Sequence, residues 1–435
     1  MRGHSHRAGR TARKRRQKRE SSARSVSLCH QPQHVKLWKF LHHRGFSSTL
    51  LQPALFTGTT SYILIISLPE SCLLTTSTVL HSYLGRYIKS WKPRLSPLLA
   101  LCIFLVCERH RGEASDWFPY INVLPTVYTC PAYFSDDVMA LLPASVRRRA
   151  LEQREAVKEM HSTNQEFFRS LQPVLSQPTA DVLTYEALRW AWFSVNTRTV
   201  FMSHASSSFL SGPDNYALAP FLDLLNHRPD VQVKAGFNDV TRCYEIRSVS
   251  GTLRYQQAFI NYGSHDNQQL LLEYGFVTTA NPHSVVYVDT GKPLQGDRSL
   301  TQKIKFLREN SFLHNLTVSS DGPSWRLMTA LRLLSLPQTL YHQWKAVLLG
   351  QLVCEEREQW SVRMAKRLCQ RLLQDTCSAL DKVCAHVHEF NSVPVLEQLN
   401  VVKSLRQEER CILGSCLKAL EESLRHNDSP LGAVN

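Results

Sequence analysis

The chain has 435 residues, 43% hydrophobic and 20% charged, ordinary values for a folded soluble protein with length for two or three sizeable cores. Its net charge of +15 is uneven, because residues 1–24 hold ten Lys/Arg against one acid, Glu20, leaving 41 against 35 elsewhere. Twelve cysteines without a C-x-x-C pair exclude a disulfide framework, and the longest apolar run, Leu98–Cys107, is too short to span a bilayer. No apolar core follows the basic start, so no signal peptide is expected and the thiols are expected to be reduced, inside the cell.

Residues 1–31 carry too little apolar surface to fold and are expected to form a basic disordered tail. Its run Arg13-Lys14-Arg15-Arg16-Gln17-Lys18-Arg19 suits a nuclear-import signal or a phosphate-contacting arm, and equally a solvated tail that nothing reads. His4 and His6 are expected to hold no metal. Val35–Phe46 reads as a first helix, and Tyr62–Pro69 as a buried β-branched strand ended by its proline. Leu95–Leu142 and Val146–Leu171 read as helices with polar loops between them, Leu98–Cys107 being buried.

Two stretches carry the chemistry. Leu218–Pro229 is an apolar run ending in Asn226-His227, flat hydrogen-bonding side chains that are costly to bury unless something there uses them. Cys243–Val249 alternates as a strand does, and Gln257–Gly263 reads as a second strand ending in a turn. Asn267–Tyr274 repeats leucine at helical spacing, and Gly275 stops that short helix. Tyr262 and Tyr274 thus stand at the exits of two elements, each beside a glycine. Aromatic walls with hydroxyl handles suit a narrow channel for a flexible amine. Read alone, either tyrosine also suits a core position, and Asn226 a turn cap.

From Ser299 onward the chain reads as helix throughout. Asp321-Gly322-Pro323 introduces a helix with Trp325, Leu327, Met328, Leu331 and Leu334 at apolar positions, and Gln351–Phe390 and Val395–Leu424 continue the pattern. Cys369, Cys377 and Cys384 fall near one helical face and read as buried small residues, since their spacing is wrong for metal ligands. In Cys384-Ala385-His386-Val387-His388 the neighbours point apart on a helix, so no metal is expected there either.

Leu-Asn-His at 225–227, Tyr262-Gly263, Asn267 and Tyr274-Gly275-Phe276, in this order, resemble the SET-domain protein-lysine methyltransferases of the Rubisco large-subunit methyltransferase-like subfamily. Trp190-Ala191-Trp192-Phe193-Ser194-Val195-Asn196-Thr197-Arg198 is similar to that subfamily's tryptophan-rich helix, and Trp117-Phe118-Pro119-Tyr120 with Leu124-Pro125 to its W-x-P-Y…L-P signature. The resemblance, covering about Ile65–Ala419, implies an α+β fold: a SET β-fold with a crossed-chain cofactor site and an inserted helical region, followed by an all-α substrate-binding domain. The implied division is a tail at 1–31, a SET domain at 32–298 with its insertion at about 95–185, a substrate-binding domain at 299–425 and a tail at 426–435. It further implies that Asn226 and His227 hold S-adenosyl-L-methionine, with Arg198 and Asp223 as neighbouring contacts and Phe276 near the adenine. Tyr262 would be the catalytic tyrosine and also border the cofactor. Tyr274 would be a second catalytic tyrosine, lining the lysine channel, and Tyr244 a third channel position. Arg198 also suits a helix-end cation. No cysteine cluster follows Tyr274, so no zinc is implied.

The implied activity is methylation of lysine on histone or non-histone proteins in nucleus and cytoplasm. A monomer without membrane contact is expected, touching nucleic acid only through its basic tail. Methylation of histidine is the less favoured acceptor chemistry, since Tyr274 suits an amine channel. One departure stands against activity. Relatives carry a G-x-G-R-G-L turn and a hairpin before the first strand, where glycine lets the backbone approach the cofactor. Here Phe56-Thr57-Gly58-Thr59-Thr60-Ser61-Tyr62-Ile63-Leu64-Ile65 keeps only Gly58. The alternative is therefore a catalytically weak or inactive SET-fold module that holds a peptide.

Overall fold

The computed structural model describes residues 31–46, 64–248, 256–288, 298–352, 354–389 and 393–428. The basic tail and the Gly58 segment lie outside these residues. The chain divides into two compact units, Met1–Val127 with Ala156–Gly263 and Tyr128–Glu155 with Ser264–Asn435. The boundary expected at 298/299 falls inside the second.

The first unit places short strands beside a buried helix. Pro97–Arg111 begins with a proline behind Ser96, whose hydroxyl accepts the Leu99 N–H, and is buried without a break from Leu99 to Glu108. Burying Glu108 is tolerable because its carboxylate accepts from Tyr83 at 2.7 Å, Arg111 at 3.0 Å and the Ser115 hydroxyl. Against this helix packs Tyr185–Arg198, capped by Thr184, with the Trp190 indole donating to the Pro125 carbonyl at 2.8 Å. The expected first helix spans Pro32–His43 and buries Leu37, Phe40 and Leu41.

Seven strands follow among the described residues of this unit: β1 (Leu64–Pro69), β2 (Thr199–Phe201), β3 (Tyr216–Leu218), β4 (Asn226–His227), β5 (Val233–Asn238), β6 (Cys243–Ser248) and β7 (Phe259–Ile260). The order β1-β6-β5 is antiparallel, with Ile66 opposite Ile246 and Leu68 opposite Tyr244, all four buried. Pro69 ends β1 on a sheet edge, where the missing N–H costs nothing. Tyr62 and Ile63 of the expected strand lie outside the described residues. β2 and β3 pair antiparallel, while β4 and β7 pair parallel for two residues each. The strand expected over Gln257–Gly263 is therefore only Phe259–Ile260.

In the second unit, Asn267–Tyr274 is capped by Asp266, which accepts the Gln269 N–H at 2.8 Å. Gly275 ends it at φ 80°, and any Cβ there would lie 2.8 Å from the Thr129 hydroxyl oxygen. The expectation of helix throughout from Ser299 needs correction. Thr317–Ser319 pairs with Val286–Tyr287 on one side and Gly322–Pro323 on the other, so Gly322-Pro323 is a strand. Ser324 introduces the helix Trp325–Ser335 by accepting the Leu327 N–H. Glu355–Glu389 and Val393–Asp428 are long and antiparallel, Lys366 facing Glu421 and Cys369 facing Cys416 with sulfurs 3.8 Å apart. Of the three cysteines read as buried, only Cys369 is; Cys377 is half-buried and Cys384 exposed, because the repeat drifts around the helix.

Candidate active site

Phe221 sets the first unit's constellation. It adopts φ 74°, a left-handed conformation that costs a bulky residue roughly 1–3 kcal/mol. Its ring is held against Trp38 and Phe46, with centroids 5.5 and 5.8 Å away. The reversal starts the 3₁₀ turn Leu222–Leu224 and turns Asp223 inward. The Asp223 side chain is 3% exposed; one carboxylate oxygen accepts from the Tyr120 hydroxyl at 3.0 Å and lies 3.7 Å from Arg198 Nη1. The same guanidinium donates to the Asp223 carbonyl at 3.0 Å. Burial pushes the Asp223 carboxyl above the ordinary aspartate range, opposed first by the Arg198 charge and then by the Tyr120 hydrogen bond. Its other oxygen, Oδ1, is buried without a hydrogen-bond partner among the described residues.

Three residues beyond Asp223, β4 turns Asn226 out and His227 in, as strand alternation requires. The Asn226 amide makes no hydrogen bond among the described residues and offers both a donor and an acceptor. Tyr262 is anchored twice. Its hydroxyl donates to the Leu225 carbonyl at 2.6 Å, and its backbone N–H donates to His227 Nδ1 at 3.0 Å. Since Nδ1 accepts, a neutral His227 carries its proton on Nε2. The two rings lie 5.1 Å apart, and the β4–β7 ladder pairs His227 with Ile260, two residues before Tyr262. Asn261 ties the following turn by accepting the Gly263 N–H at 2.9 Å and donating to the Pro229 carbonyl at 3.1 Å.

Tyr244 is buried on β6, where its hydroxyl donates to the Phe201 carbonyl at 3.4 Å and burial raises its pKa. Arg198, Asp223, Asn226, His227, Tyr244 and Tyr262 thus belong to the first unit. Tyr274 and Phe276 belong to the second, their rings 6.2 Å apart, with His265 5.9 Å from Tyr274. Burial is the largest cause raising the Tyr274 pKa. The sequence reading gave Tyr120 no role at the site, although the W-x-P-Y signature contained it; the Leu225 carbonyl had no signal to find it by.

These groups suit a cofactor with a zwitterionic amino-acid end. The outward Asn226 amide has both hydrogen-bonding senses to spare, and the orphaned Asp223 oxygen is an acceptor in a dry site.

Comparison with known proteins supplies the family. Residues 295–413 match the Rubisco LSMT substrate-binding family. SET domain-containing protein 4 of Mus musculus is 45% identical over 430 residues, covering 95% of this chain and 98% of that protein. The Homo sapiens protein of the same name is 45% identical over 429 residues, covering 95% and 97%. Among solved structures, Rubisco LSMT bound to sinefungin and monomethyllysine has the same fold, with a TM-score of 0.62 at 19% identity over 92% of this chain and 93% of that one.

Proposed function

The chain belongs to the SET domain-containing protein 4 family of SET-fold methyltransferases, and on that premise we propose that it moves a methyl group from S-adenosylmethionine to a lysine of a protein substrate. The observation that carries this reading is the Tyr262 hydroxyl, fixed at 2.6 Å on the Leu225 carbonyl immediately before Asn226-His227. An in-line transfer to an amine needs placement more than acid–base power, and a tyrosine tied at ring and backbone supplies it.

Asn226, with the Asp223–Arg198 pair, would hold the amino-acid end of the cofactor. S-adenosylmethionine, when bound, supplies an electrophilic sulfonium methyl. A lysine ammonium must shed its proton before its lone pair can attack. A channel walled by aromatic rings such as the buried Tyr244 would disfavour the charged form, whose desolvation is costly. The Tyr262 hydroxyl and the Leu225 carbonyl then orient the neutral amine. That carbonyl also suits the weak C–H donors of a polarised methyl group.

The substrates we favour are histones and other nuclear proteins, acted on by a monomer in nucleus and cytoplasm. The support is the local charge of residues 1–24, ten Lys/Arg against one acid. The helical region from 299 would present the substrate protein. A second reading, a peptide-binding module with weak or no transferase activity, is favoured by one sequence fact, the single Gly58 where relatives keep a glycine-rich cofactor turn. A labelled-methyl assay on nuclear and cytosolic extracts, with Tyr262→Phe as control, separates the two. Labelling of a protein by the wild-type chain alone supports the enzyme; no labelling at saturating cofactor supports the module.

A further inference from the structure

We propose that Glu408 and Glu409, on the long C-terminal helix, are positioning residues for Tyr274. The proposal rests on Tyr274 lining the lysine channel. The helix Asn267–Tyr274 is gripped on two sides within the second unit. Leu271 and Leu272 pack into a cluster with Leu399, Val402 and Leu405 of the helix Val393–Asp428. Alongside runs a polar chain. Gln268 donates to Glu409 at 2.9 Å and accepts from the Ser145 hydroxyl at 2.7 Å. Arg406 donates to Glu409 at 3.0 Å and to the Leu141 carbonyl at 2.9 Å. Asn267 donates to Glu408, and its side chain forms a two-way pair with the backbone of Thr278 at 2.8 and 2.9 Å.

Asn267, Gln268, Arg406 and Glu409 are each less than a tenth exposed. Burial pushes the Glu409 carboxyl up, and the Arg406 charge and the Gln268 bond oppose that. Such a cluster is poor value as a source of stability, because well-packed apolar residues of the same volume hold a core as well or better. What it supplies is direction. Leucines fix the depth of a helix but tolerate small slides and rotations along a groove; paired amides and carboxylates accept one register only. Tyr274 is the last residue of that helix, seven positions from Asn267 and six from Gln268. A small rotation of the helix about its axis therefore swings the phenol at its end while Leu271 and Leu272 remain in their cluster.

The test uses the full chain and three variants. Glu409→Gln keeps the shape and weakens the Arg406 contact. Gln268→Leu/Arg406→Met/Glu409→Leu replaces the polar chain with apolar volume. Glu408→Ala removes the second bond. Thermal melting, fluorine NMR of fluorotyrosine-labelled protein (the resonance of position 274 assigned with Tyr274→Phe) and the kinetics of peptide methylation are read in each. The triple variant should melt no lower than wild type, shift the position-274 resonance, and lose about tenfold to a hundredfold in kcat, the loss that small misplacements produce. Its cofactor KM should hold, and the ratio of mono- to dimethylated product should change. An unmoved resonance in all three folded variants, or kcat that simply follows melting temperature, overturns the proposal. If wild type methylates nothing, the enzyme reading fails, and the resonance still decides whether the carboxylates set Tyr274.

Discussion

Replacing Tyr262 with phenylalanine deletes one oxygen and one hydrogen bond, and the consequences for folding and turnover differ sharply in size. The bond lost is the 2.6 Å contact to the Leu225 carbonyl. A neutral hydrogen bond contributes about 1 kcal/mol net, so folding should weaken by about that much. The backbone N–H of Tyr262 keeps its bond to His227, and Asn226 is untouched, so cofactor affinity should hold. On the proposed assignment the half-buried hydroxyl is a positioned dipole at the reacting centre. By analogy with single oxyanion donors its loss removes about 2–4 kcal/mol of transition-state stabilisation, or about 30- to 1000-fold in rate. The assay is labelled-methyl transfer to peptide at saturating S-adenosylmethionine, run with cofactor calorimetry and thermal melting on the same preparation. Equal turnover in the variant would refute the assignment. A rate loss accompanied by equal loss of cofactor binding would move Tyr262 from the chemistry to the binding wall.

Gly275→Ala should destabilise by about 2–4 kcal/mol, combining left-handed strain with overpacking against Thr129 and Cys130, and should lower the denaturant midpoint of unfolding. The Asp223 carboxyl has a raised native pKa, so its contribution to stability is full below the free aspartate value near 4 and is lost as pH rises through the native value. Unfolding free energies of Asp223→Asn and wild type should therefore shift in favour of the variant as pH rises above about 4, and a flat difference would contradict the burial argument. Deleting residues 2–24 should move the protein towards the cytoplasm without altering activity on a short peptide; an unchanged distribution by microscopy counts against the import signal. Restoring a glycine-rich hairpin at 56–65 should tighten cofactor binding by one to several powers of ten, at about 1 kcal/mol per regained hydrogen bond, and equal calorimetric affinities would remove the doubt over activity.

The helix Asn267–Tyr274 was legible because the apolar run Leu270–Leu272 sits inside a stretch of helix formers and Gly275 marks the stop. Tyr185–Arg198 was legible only from Trp190 onward, through its resemblance to the subfamily's tryptophan-rich helix. Strands of two or three residues carry no period, so the sheet through Thr317 and Gly322 was hidden inside a stretch rich in helix formers. The site divides likewise. Asn226, His227 and Tyr262 were found because their types and order are distinctive. The Tyr120–Asp223 bond joins residues 103 positions apart, and nothing local in either announces the other. Nor does the sequence mark Phe221 as left-handed, since its conformation is imposed by Trp38 and Phe46 from far upstream.

The apolar stripe Leu399–Val402–Leu405 sets a rule for anyone cutting or exchanging parts of this chain. It is covered by Leu271 and Leu272 and, in the same cluster, by Val138, Leu142 and Val146 from a segment more than two hundred residues earlier. A fragment trimmed to the matched stretch 295–413 would bare that stripe and strand Arg406 and Glu409 without Leu141 and Gln268. Such a fragment is expected to be insoluble. A graft of the helical half from a relative should carry residues 128–155 and the Asn267–Tyr274 helix with it, because for this protein the heritable unit of that half is three pieces of chain.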